Sequence, residues 1–153
     1  MNKAEREKKL EDDIKQYGLQ VLHVLEDETG PGFTYSIGLF KSYGHPEIIM
    51  IGLKQDLAHT LINNMAYEIK EGKVYSPLNF EASILDDFDC YIIEVDKSNY
   101  DNYVCQAQNY YQGDFPLIQC IYPTVKGIYP WEEEWPEEIK DLQPILGSIK
   151  QNP

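Results

Sequence analysis

Between Gly32 and Leu53 the chain reads GFTYSIGLFKSYGHPEIIMIGL, two apolar runs around a polar turn that contains glycine and proline. Phe33, Tyr35 and Ile37 alternate with Thr34, Ser36 and Gly38, the period-two pattern of a half-buried strand. Ile48 to Ile51 is continuously apolar, as in a strand covered on both faces. Gly44 and Pro46 supply turn chemistry across Lys41 to Pro46. Upstream, Leu19 to Leu25 reads as another strand, joined to the first run by the loop EDETGPG. Strand, loop, strand, turn, strand predicts an antiparallel meander.

Helical spacing brackets that meander. Over Asn2 to Tyr17, Leu10, Ile14 and Tyr17 share one face of a segment otherwise rich in Glu and Lys, and Gly18 stops it. Its first turns are too polar to pack well. After the meander, Asp56 reads as an N-cap, and Leu57, Leu61, Ile62, Met65 and Ile69 form one stripe ending at Gly72. Lys73 to Phe88 is mixed and reads as loop or short irregular strands, and Asp89 to Val95 as a strand. Ser98 with Asp101 opens a helix that places Tyr100, Tyr103, Val104, Ala107 and Tyr111 on one face up to Gly113. Phe115 to Tyr122 is the last strand. Beyond Pro123 lie four of the nine prolines and both tryptophans, predicting an extended wrap with a short helix, anchored by Ile145, Leu146 and Ile149.

The predicted fold is therefore α+β: a mainly antiparallel sheet of about five strands, open or curled into a partial barrel, with two internal helices and an N-terminal helix. The 153 residues fit one domain with three parts: an N-terminal helix (1–17), a core of sheet and helices (18–123) and a wrapping tail rich in Pro, Trp and Glu (124–153).

Charge narrows the partners. With 26 acidic against 13 basic residues the formal charge is −13, which disfavours nucleic acid and anionic membrane surfaces and suits a basic protein partner. The three cysteines form no CxxC pair and read as free, mostly buried thiols. MNKAEREKKLEDD lacks the apolar stretch of a leader, and no apolar run is long enough to span a bilayer, so a cytoplasmic location is expected.

Candidate chemistry gathers at two places. His45 and Glu47 flank Pro46, where an imidazole and a carboxylate serve as base and orienter or simply as a turn His and a strand-edge Glu. A metal held by His45, Glu47 and His59 has no HxxxH or HExxH spacing behind it, and none is expected. Ser36 or a cysteine with His23, His45 or His59 lacks a GxSxG elbow, and the glycines form neither GxGxxG nor a Walker loop. The order of strands and helices is loosely similar to flavin-binding split barrels, an analogy of fold alone. The second place is YPWEEEW, Tyr129 to Trp135, where rigid prolines, two Trp anchors and three carboxylates form either a basic-partner surface or an aromatic lid on the core. Tyr35, Ser36, His45, Glu47, Trp131 and Glu132 together make the expected ligand or partner surface.

Three stretches add a resemblance. FTYSIGLFKSYGHPEIIMIGL, LAHTLINNMAYEIKEG and QCIYPTVKGIYPWE together resemble a bacterial family, domain of unknown function 4262, although Thr124 stands where an Asp is commoner. The resemblance covers roughly residues 18 to 132. It implies a compact single domain of bacterial origin and carries no catalytic residues over to this chain. Two functional classes follow from the sequence as a whole. The first is a soluble, non-enzymatic protein that binds a basic partner, of the immunity or partner-neutralising kind. The alternative is a small enzyme or a domain binding a small ligand or a flavin-like cofactor at the Tyr35 to Glu47 turn.

Overall fold

The computed structural model describes residues 1–150. Helix α1 (Lys3–Tyr17) leads through Gly18 into β1 (Gln20–Val24), followed by β2 (Phe33–Ile37), a one-turn helix α2 (Leu39–Tyr43) and β3 (Glu47–Ile51). The long helix α3 (Gln55–Lys70) connects to the hairpin of β4 (Asn79–Leu85) and β5 (Phe88–Glu94). Then come α4 (Tyr100–Tyr103), α5 (Cys105–Tyr111), β6 (Leu117–Ile121) and a tail with a single 3-10 turn over Glu137–Ile139.

The six strands form one sheet in the order β1-β2-β3-β6-β5-β4. The expected meander β1-β2-β3 is present and antiparallel. Two expectations are corrected. The sheet is mixed, because β6 returns between β3 and β5 and pairs with β3 in parallel, Glu47 opposite Leu117. Of the open and partial-barrel alternatives the sheet takes the open one, with β1 and β4 as its edges, and it has six strands where about five were expected. The sixth strand is β4, in the stretch read as loop or short irregular strands; NFEASIL pairs with β5 across an irregularity between Glu81 and Leu85.

Both faces of this sheet are covered. On one, α3 lays Leu61, Ile62, Met65, Ala66 and Ile69 against Ile48, Met50, Ile92 and Ile118. On the other, Leu10 and Ile14 of α1, Val104 at the α4–α5 break, Ala107 of α5 and Leu146 of the tail pack against Tyr35, Ile37, Ile49, Ile51 and Leu117. This double burial is why β3 and β6 are buried at every position, with Ile48 to Ile51 continuously apolar and the polar Glu47 and Gln119 buried among them. Phe80 and Tyr91, directly opposite each other on β4 and β5, lie at the far end of the second face, beyond the reach of those helices.

Candidate functional site

Glu47 stands at the start of β3 and is fully buried. One carboxylate oxygen accepts from the Ser36 hydroxyl at 2.8 Å and the Leu39 N–H at 3.1 Å. The other accepts from the Gly38 N–H at 2.9 Å, the Phe40 N–H at 3.1 Å and the Tyr111 hydroxyl. Three of these donors are the free N–H groups at the start of α2, so the carboxylate caps a helix from a neighbouring strand. Gly38 supplies the turn with φ 123°, and a Cβ there would meet the Gly18 carbonyl oxygen at 2.6 Å. Burial pushes the Glu47 carboxyl up, while Tyr111, Ser36, Gly38 and Phe40 pull it back by donating to the ionised form.

His45 is also spent inside the fold. Its Nδ1 lies 2.8 Å from the Pro46 carbonyl oxygen and its Nε2 accepts the Tyr75 N–H at 3.0 Å, the pattern of a neutral ring. Burial lowers its pKa, against the Pro46 hydrogen bond. Tyr35 is buried in the α1/α5 core, and burial drives its hydroxyl far above the ordinary tyrosine range. His45 packs by its ring on Tyr75, which belongs to the α3 core. Trp131 packs on Tyr91, whose neighbours Cys90 and Ile92 belong to that same core, so Tyr91 and Trp131 lie on the opposite face. Glu47 pairs at the start of β6 and Tyr91 at its end, opposite Ile121. The structure thus brings Ser36 and Glu47 together and Trp131 and Glu132 together, but does not join the two groups.

Trp131 is one of a cluster of four rings. Trp131 stacks on Tyr129 at 5.0 Å with 11° between the planes and meets Tyr91 edge-on at 5.4 Å. Phe80 closes the group against Tyr91 at 4.6 Å and Tyr129 at 5.7 Å, and it remains 55% exposed. The segment is held from below: the Tyr129 hydroxyl donates to the Asp89 carbonyl at 2.7 Å, the Tyr91 hydroxyl to the Ile149 carbonyl at 2.9 Å. Glu132 accepts the Tyr129 N–H at 3.0 Å, tightening the Pro-Trp turn. Burial first, then the carboxylates of Asp89 and Glu132, raise the Tyr129 pKa. Asp86, Asp87, Asp89, Glu133 and Glu134 are exposed, and among the described residues none of them is ion-paired. Sequence reasoning found Trp131 and Glu132 but missed Phe80 and Tyr91. The alternation in NFEASIL was the available signal for Phe80.

His23 and His59 come together away from both sites. His23 Nδ1 lies 2.9 Å from Thr34 Oγ1 and its Nε2 3.1 Å from His59 Nδ1. The ring centroids are 5.3 Å apart, so the two nitrogens point at each other along the line of centres, as in a hydrogen bond and not as two ligands converging on an ion. Among the described residues no group of three or more His, Cys, Asp or Glu side chains is arranged to hold a metal, and no helix is long and apolar enough to cross a membrane.

These features define a class: an open mixed sheet sandwiched by helices, with its polar core groups satisfied internally and an aromatic, acid-rimmed face at one end. The chain belongs to the family described as Domain of unknown function (DUF4262), whose model matches residues 13–136 and so takes in all three stretches that carried the resemblance. No curated protein and no solved structure matches the chain.

Proposed function

We propose that this is a non-enzymatic binding protein that captures a basic partner on the face built by Phe80, Tyr91, Tyr129 and Trp131. The observation that carries the reading is four rings packed on one another, two of them tied by their hydroxyls to backbone carbonyls, with Phe80 55% exposed and the other three half-buried, on segments whose Asp89, Glu133 and Glu134 are exposed and have no cationic partner among the described residues. Preordered aromatics offer contact area at little entropic cost, and a guanidinium or ammonium group is attracted to both their faces and the acid around them. The reading of a small enzyme or flavin-like domain at the Tyr35 to Glu47 turn has less support, because Glu47 and His45 already hold partners within the fold.

Fluorescence anisotropy tests this with a labelled peptide of alternating Arg and Gly at low salt. Binding is expected to weaken about tenfold in Phe80→Ala and in the double charge reversal Asp89→Lys with Glu133→Lys, with circular dichroism unchanged. Equal affinity in those variants and the parent protein removes the proposal.

A further inference from the structure

The opposite end of the sheet carries an independent feature. A groove of about 770 Å³ touches Leu10 and Asp13 of α1, Ala66 and Tyr67 of α3, and three consecutive residues of β1, Gln20, Val21 and Leu22. Because α1 and α3 cover opposite faces of the sheet, a cavity that reaches both must run over the sheet's open edge. β1 is that edge. In an antiparallel pair every second residue turns its N–H and C=O away from its neighbour, so the floor of the groove is a row of backbone donors and acceptors. We infer that this edge is a site of strand addition, taking an extended peptide with alternating apolar residues and carboxylates as a seventh strand beside β1.

Space and charge select that occupant. An added strand needs about 4.8 Å beyond β1, with its side chains directed alternately towards the two helices. There they meet apolar surface on both sides: Leu10 and Tyr17 on α1, Ala66 and Tyr67 on α3, with Tyr17 62% and Tyr67 63% exposed. A second copy of this chain is a poor fit, since its own edge is flanked by the same two helices and both copies carry −13. The groove inverts the charge balance of the molecule. Its lining holds the cations Arg6, Lys9 and Lys70 against only Glu7 and Asp13, in a chain with twice as many acids as bases. Both of those acids are engaged, Asp13 by Lys9 at 3.1 Å and Gln20 at 2.9 Å, and Glu7 by Lys3 at 3.9 Å. Arg6 and Lys70 have no carboxylate partner among the described residues. His59 also lines the groove; His23 engages its Nδ1 and leaves Nε2 for a ligand carboxylate.

The experiment uses fluorescein-labelled seven-residue peptide pools in which Val, Leu or Phe alternates with Glu or Thr, a matched pool with Lys in place of Glu, and the Glu pool N-methylated at alternate amides. Anisotropy reads binding, and hydrogen exchange of the β1 amides reads its place. The Glu pool is expected to bind and to slow exchange at β1; the N-methylated and Lys pools, and the Lys70→Glu variant, are expected to bind about tenfold more weakly. Trp131→Ala leaves all of this unchanged, which separates the groove from the aromatic face. The inference is overturned if no pool protects β1, if N-methylation has no effect, which would mark an apolar pocket for small ligands, or if the Lys pool binds as well. It is equally overturned if light scattering shows a dimer whose β1 amides are already protected.

Discussion

At the scale of single residues, the burial of Glu47 is best understood through what it replaces. A one-turn helix has no length over which to repay its nucleation cost, and α2 is held instead by a carboxylate that takes the N–H groups of Gly38, Leu39 and Phe40. Every group directed at that carboxylate is a donor, including the Ser36 and Tyr111 hydroxyls. Glu47→Gln keeps the shape but turns an amide NH₂ towards those donors and removes the charge that strengthens each bond. A loss of about 2 to 5 kcal/mol is expected, read from urea unfolding. An unchanged midpoint would show that the cap contributes nothing to the fold.

At the scale of elements, helix α3 separates what the chain reveals locally from what packing decides. The stripe Leu61, Ile62, Met65 and Ile69 is buried as its spacing predicts, whereas Leu57, on the same predicted stripe, is 43% exposed. Helix α3 begins before Asp56, which lies in the first turn, where a carboxylate favours the helix dipole without capping it. Leu61→Ala should cost about 2 to 4 kcal/mol and Leu57→Ala less than about 1 kcal/mol in chemical denaturation. Equal costs would contradict the placement of the helix. The same contrast runs through the fold. The meander is legible because local alternation and turn residues specify it, and the α4–α5 segment reads as one helix because its face is continuous, although Val104 breaks it at φ −124° and ψ 43°. The parallel insertion of β6 was not legible, because no local signal says which distant strand a buried run will pair with. Of the candidate site, Trp131 and Glu132 were visible as an aromatic and acidic motif. That His45 and Glu47 turn inward depends on Tyr75 and Tyr111, 30 and 64 residues away in sequence.

At the scale of the whole molecule, acid dominates the surface while the three histidines lie in the fold's polar contacts, and the two respond differently to pH. Exposed carboxylates stay ionised down to about pH 5, so the self-repulsion of a −13 chain changes little between pH 7.5 and 5.5. Histidine titrates inside that window. His45 is held neutral, with a folded pKa below 6.5 because burial disfavours the imidazolium, and His23 is lowered in the same direction by burial and by His59. Between the folded and unfolded values the unfolded chain binds more protons, so stability rises with pH there. The contribution is complete above about 6.5 and is lost as pH falls through the lowered folded values, at no more than about 1.4 kcal/mol per pH unit for each proton. His45→Gln replaces the ring with a side chain able to accept the Tyr75 N–H and donate to the Pro46 carbonyl without titrating. The buried Glu47 carboxyl, raised by desolvation, acts in the opposite sense, so the difference between the two proteins is what isolates His45: urea unfolding at pH 7.5, 6.5 and 5.5 should show stability falling more steeply with acid in the parent protein than in His45→Gln. An identical slope in both proteins would mean that the His45 latch is not what senses the proton.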